Sequence, residues 1–253
     1  MEERVMTFRE WLEYRVPPAD ILVATTPEGA GASPIVMDRQ LLPIGMAKKH
    51  FSNLRIISNH HIERLNTNIC SVNFNPSSGA VHAKKIGAVK PLRHLFLENL
   101  KNNGFSHFDT RHNQYDYSAA YLRQLMSTKF TASPTGYWKE SYRSYEAWYC
   151  KSIPIVNHDD FLATKYDGLP VLWTWDYSEI TEDYLNNEYD KILDQSFDFS
   201  KILLSCYDQL KREILQKRML FRTNLNKWVQ LYNDGNPFDP EYDEPKIETW
   251  DGL

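Results

Sequence analysis

The chain has 253 residues, 42% of them apolar and 25% charged, with a formal net charge of −4 and a pI near 6.1. That balance belongs to a globular protein with ample core; it excludes a global basic field for a polynucleotide and leaves room only for a local basic pocket. No run approaches the roughly 18 apolar residues of a membrane span, and the charged start Met1-Glu-Glu-Arg lacks an apolar signal core, so a soluble, cytoplasmic chain is expected.

Taken in chain order, Ile21-Leu-Val-Ala24 reads as a short buried strand followed by the loop Thr25-Thr-Pro-Glu-Gly-Ala-Gly31. Leu41–Gly45 and Leu54–Ile57 read as further strands, and residues 1–64 together as a small, irregular α/β lobe. A second lobe, 65–195, opens with the strand Ile69–Phe74 and the loop Pro76–Gly79. Apolar residues at helical spacing run from Lys84 to Asn102, Gly104 stops that helix, and Phe105–Phe108 is a second strand. Tyr117 to Met126 is an amphipathic helix leading into a strand at Lys129. Beyond Trp175, a polar helix spans Ser178 to Leu193 and a longer one Phe199 to Phe221. Residues 196–232 are thus expected to form C-terminal helices packing across the lobes, and 233–253 an acidic, proline-bearing tail. Cys70, Cys150 and Cys206 have no metal or redox spacing and are expected to be reduced and buried.

Residues 129–175 carry the most information: strand, polar loop, helix, strand, helix, strand. Such a unit sets a loop and a helix N-terminus at the carboxyl end of a buried parallel strand, where open α/β sheets bind phosphorylated ligands. Gly136 permits a tight path through Pro134–Glu140, and Ser141 reads as the helix N-cap. Arg143 and Glu146 lie three apart on one helix face. A guanidinium suits phosphate oxygens and a carboxylate suits two ribose hydroxyls; the same two residues also read as an ordinary surface ion pair.

The block Ser133-Pro-Thr-Gly136, Arg143-Ser-Tyr-Glu-Ala147 and Lys151-Ser-Ile-Pro-Ile-Val156, with Leu169-Pro-Val171 and Trp175–Thr181, resembles the donor-binding half of exostosin-like glycosyltransferases, including short algal and large-DNA-virus relatives. Weaker echoes are Leu42–Gly45, Val72–Phe74 and Tyr121–Phe130, so the resemblance spans roughly residues 20–185. It implies two Rossmann-like lobes of the glycosyltransferase B type, the first (residues 1–64) small, reduced and on the acceptor side, and metal-independent, inverting transfer of a sugar from a UDP-sugar such as UDP-xylose to a glycan or glycoprotein hydroxyl. It implies no cofactor, and a virus-encoded member would act in the host cytoplasm. Ser133, Thr135, Gly136, Lys139, Tyr142, Arg143 and Glu146 would then bind the donor. Two departures stand out: Thr135 replaces the family's arginine after Ser-Pro, with Lys139, Lys84 or Lys85 as substitutes, and Ser152 replaces a glycine.

Inversion asks for one carboxylate as general base, and Glu28, in the loop after the first strand, is the candidate; Asp38, Glu63 and Asp109 rank behind it. No Asp-x-Asp pair is present to hold a metal. His158-Asp-Asp160 reads as a helix cap rather than a ligand set, and His60-His61 lacks a framework. Tyr137, Trp138 and Tyr142 crowd the donor loop, where a ring can pack on base or sugar; most other aromatics, Trp148 and Trp173 among them, read as core. Two rival readings remain: a catalytically silent nucleotide- or carbohydrate-binding module, and another nucleotide-binding α/β enzyme such as a sulfotransferase or kinase. The absence of a Gly-x-x-x-x-Gly-Lys loop disfavours P-loop kinases.

Overall fold

A computed structural model describes residues 4–22, 36–37, 40–41, 45–47, 50, 53, 56–57, 68–76, 93–107, 117–135 and 140–207. Its strands are β1 (Val5–Thr7), β2 (Val36–Met37), β3 (Gln40–Leu41), β4 (Asn68–Ser71), β5 (Thr128–Ala132), β6 (Ile153–Asn157), β7 (Leu172–Thr174) and β8 (Ser196–Asp198). Its α-helices are α1 (Phe8–Glu13), α2 (Arg93–Asn102), α3 (Tyr117–Met126), α4 (Tyr142–Tyr149), α5 (Asp160–Lys165) and α6 (Glu182–Leu193).

The centre of the fold is a parallel sheet in the order β4-β5-β6-β7. Its middle strands are buried along almost their whole length, which is why Phe130-Thr-Ala132 and Ile153-Pro-Ile-Val156 read as apolar runs and not as alternating patterns. A parallel bridge joins Val72 to His107, so the segment after α2 lies on the edge of β4 that β5 leaves free. The chain therefore leaves β4 one way through α2 and returns the other way through α3 to β5. With right-handed crossovers, these two helices cover opposite faces, and the junction of β4 and β5 is a topological switch point.

Packing agrees with that layout. Tyr121, Trp148 and Tyr149, from α3 and α4, are buried in the core together with Phe96 and Leu100 of α2. From α2, Asn99 donates to the Asp176 carbonyl at 2.8 Å and Asn103 to those of Ser178 and Ile180, tying α2 to the turn that enters α6.

Helix α3 has the expected bounds, and α2 ends where expected. Gly104 ends α2 at φ 88°, with its N–H on the Lys101 carbonyl and that of Phe105 on the Leu100 carbonyl. Others differ. Ile56 and Ile57 are helical rather than extended. Helix α6 begins at Glu182 instead of Ser178, because the Thr181 hydroxyl caps it by accepting from the Tyr184 N–H. In place of a helix from Phe199, the described residues to Tyr207 hold two 3-10 turns, Phe199–Ile202 and Leu204–Cys206, separated by an extended Leu203 that bridges Ile21. A distant neighbour rather than a helical period holds the backbone of that segment: the Tyr149 hydroxyl donates to the Ile202 carbonyl. Strand β8, too short to stand out in the sequence, pairs antiparallel with β1. Helix α1 docks beside it, its Trp11 indole donating to the Trp148 carbonyl at 3.0 Å. Cys70, Cys150 and Cys206 are free thiols, the last two buried.

Candidate functional site

The switch point is built from the chain leaving β4 and β5. Beyond β5, the Ser133 N–H continues the ladder to the Ile155 carbonyl at 2.8 Å, and its hydroxyl meets that of Ser144 at 2.9 Å. The Thr135 N–H then donates to Asn157 Oδ1 at 2.8 Å, which holds the loop against the end of β6.

Arg93 enters this crevice, and Arg143, on a helix of the opposite face, lies within electrostatic reach of it. Arg93, the first residue of α2, is 6% exposed. Its Nε donates to the Thr135 carbonyl and its Nη2 to that of Pro134, both at 2.8 Å, while Nη1 reaches the Asn75 carbonyl at 3.2 Å. One guanidinium thus fastens the loop after β4 to the loop after β5. Burial, and then the charge of Arg143, pull Arg93 down to about 9, a value that still leaves it cationic at neutral pH. Arg143 sits in the first turn of α4, where the Ser141 hydroxyl caps its N–H at 3.3 Å, as the sequence predicts. Its Nε is buried and, among the described residues, has no hydrogen-bond partner.

Glu140 is tied to Lys165 at 2.6 Å and to the Tyr145 hydroxyl. The Tyr177 phenol donates to the Ile155 carbonyl at 2.7 Å; burial pushes its pKa far above the ordinary range, although both arginines pull the other way. Among the described residues neither guanidinium meets a carboxylate. Two like charges within electrostatic reach of each other, beside a helix N-terminus and without a carboxylate partner among the described residues, can attract an anion.

Glu146 points elsewhere along the same helix. It is 4% exposed, and both oxygens are engaged: Oε2 accepts from the Tyr121 hydroxyl at 2.7 Å and Oε1 from the Ala47 N–H at 3.2 Å. His50 Nε2 lies 3.4 Å from Oε1, its ring stacked on Tyr121, and its Nδ1 meets the Ser118 hydroxyl at 2.8 Å. Glu146 therefore joins α3 and α4 to the segment carrying Ala47 and His50.

Of the residues expected at the donor site, Ser133, Thr135, Tyr142, Arg143 and Glu146 are described; Tyr142 is half-buried at the first residue of α4. Gly136 and Lys139, the base candidate Glu28 with Asp38, Glu63 and Asp109, the substitute cations Lys84 and Lys85, the rings of Tyr137 and Trp138, and His60-His61 all lie outside the described residues. Asp159 caps α5, accepting from the Phe161 and Leu162 N–H groups, as expected of that cluster. Arg93 is the residue that sequence reasoning passed over. Its signal was present: Arg93, Phe96, Leu97 and Leu100 share one helical face, a charge at a core position.

A scan against protein-family models and a search of curated proteins both return no match for the chain.

Proposed function

We propose that this chain is an inverting glycosyltransferase that takes its sugar from a UDP-sugar and needs no metal. The observation that carries the reading is the buried Nε of Arg143, without a hydrogen-bond partner among the described residues, within electrostatic reach of Arg93 at the switch point of a parallel sheet. Such a pair lowers the free energy of a leaving diphosphate, which gains charge as the glycosidic C–O bond breaks. The resemblance of residues 129–181 to exostosin-like donor sites supplies the sugar-nucleotide chemistry, and with it a two-lobe arrangement in which residues 1–64 form the acceptor side. Arg93 takes the place of the arginine that Thr135 replaces. In this reading the acceptor oxygen attacks the anomeric carbon, its proton passes to Glu28, and the nucleoside diphosphate departs toward Arg93 and Arg143.

Thermal-shift screening against a panel of nucleotide sugars tests it. A UDP-sugar is expected to raise the melting temperature of the wild type and of Glu28→Ala but not of Arg143→Ala, and Glu28→Ala is expected to lose turnover. An equal shift in Arg143→Ala counts against the reading. A specific observation favours a second one, a silent binding module of the same fold: Glu146 is buried and each of its oxygens already accepts a protein donor, which disfavours its clasping a ribose. Donor binding without transfer to any saccharide selects that module.

A further inference from the structure

Trp175 follows β7 and is 74% exposed, an unusual placement for so large an apolar ring. It is not loose. One face stacks on the His158 imidazole, with centroids 4.6 Å apart and planes 27° off parallel, and His158 in turn lies 5.9 Å from Trp173. The His158 N–H donates to the Thr174 carbonyl at 2.7 Å, so the backbones that leave β6 and β7 are locked together beneath the stack. The outer face of Trp175 is open.

Polar groups rim that face. Asp176 Oδ1 accepts both the hydroxyl and the N–H of Ser178, which holds its carboxyl below the usual range and leaves Oδ2 for an outside donor. The imidazole of His158, itself exposed, supplies another polar edge. Ser133, His158 and Trp175 follow three adjacent parallel strands, so Trp175 stands two strand spacings, about 10 Å, from the arginine crevice along the same carboxyl edge.

We infer that Trp175, backed by His158 and flanked by Asp176, is a platform for a neutral pyranose ring of a saccharide. A pyranose offers an apolar C–H face bordered by hydroxyls, which matches one rigid aromatic face bordered by an ionised acceptor. An apolar peptide would want a wider groove, and a phosphate would meet the Asp176 charge. Only the choice of ligand rests on the glycosyltransferase reading.

Calorimetric titration of the full chain with a xylo-oligosaccharide and a gluco-oligosaccharide, and separately with UDP and with uridine, tests the platform. At least one oligosaccharide is expected to bind the wild type, to weaken about tenfold or more in Trp175→Ala, and to return within a few-fold in Trp175→Phe. UDP affinity is expected to stay the same in all three. Equal saccharide affinity in Trp175→Ala, or no saccharide binding by the wild type, overturns the platform. So does loss of uridine binding in Trp175→Ala, which would make the ring a nucleobase shelf. Saccharide binding that depends on Trp175, with no UDP binding at all, keeps the platform and sinks the UDP-sugar reading instead.

Discussion

In the proposed reading, Arg143 sets function against stability. A buried guanidinium nitrogen without an acceptor carries a desolvation cost that folding does not recover. Arg143→Met keeps the length of the side chain and removes that cost, so it is expected to raise the free energy of unfolding by about 1 kcal/mol in denaturant titration. The same substitution is expected to abolish the thermal shift given by a UDP-sugar; a destabilised Arg143→Met would mean that the nitrogen has a partner after all. Glu146 behaves in the opposite way. Glu146→Gln replaces one carboxylate oxygen with a donor that faces either the Tyr121 hydroxyl or the Ala47 N–H, at an expected cost of about 1–3 kcal/mol. No loss of stability would show that this carboxylate is solvated. At this scale the sequence was informative where residue types carried their own chemistry: the Arg143–Glu146 spacing marked the helix that enters the crevice. It marked Arg93 only as a charge at a core position; its role depends on carbonyls of Asn75, Pro134 and Thr135 that only the fold brings together.

Elements were legible wherever a local signal and a tertiary partner agreed. The apolar runs at Phe130 and Ile153, the Ser141 cap and the Gly104 stop each decide their element by themselves. Gly104 makes this measurable. A Cβ there would meet nothing within 4 Å, so Gly104→Ala isolates the backbone cost of the left-handed conformation, expected at about 1–2 kcal/mol in denaturant titration. A much larger loss would reveal a clash. The segment from Phe199 shows the other case. Ile202, Leu203 and Cys206 have helical spacing, yet Leu203 bridges Ile21 and the Ile202 carbonyl takes the Tyr149 phenol, so distant partners override the pattern. No periodicity records such contacts.

The described residues fold around buried phenols, which gives the whole molecule an alkaline limit. Tyr145, Tyr149, Tyr166 and Tyr177 are fully buried, and desolvation pushes each pKa well above the ordinary value near 10. In the unfolded chain these groups release protons near pH 10, while the folded protein keeps them, so the folded state binds more protons and loses stability as pH rises above about 10. Tyrosinate absorbance is expected to rise in two stages, exposed rings first and the buried four together with unfolding. A single smooth rise in a protein that stays folded would contradict this. In the proposed reading, stability and function meet at the same switch point, where neither Arg93 nor Arg143 has a carboxylate partner among the described residues. Calorimetric titration of the wild type and of Arg143→Met with UDP tests that meeting most directly. The expected result is a single site in the wild type, weakened about tenfold or more in the variant; equal affinity in both proteins, or no binding to the wild type, would contradict it.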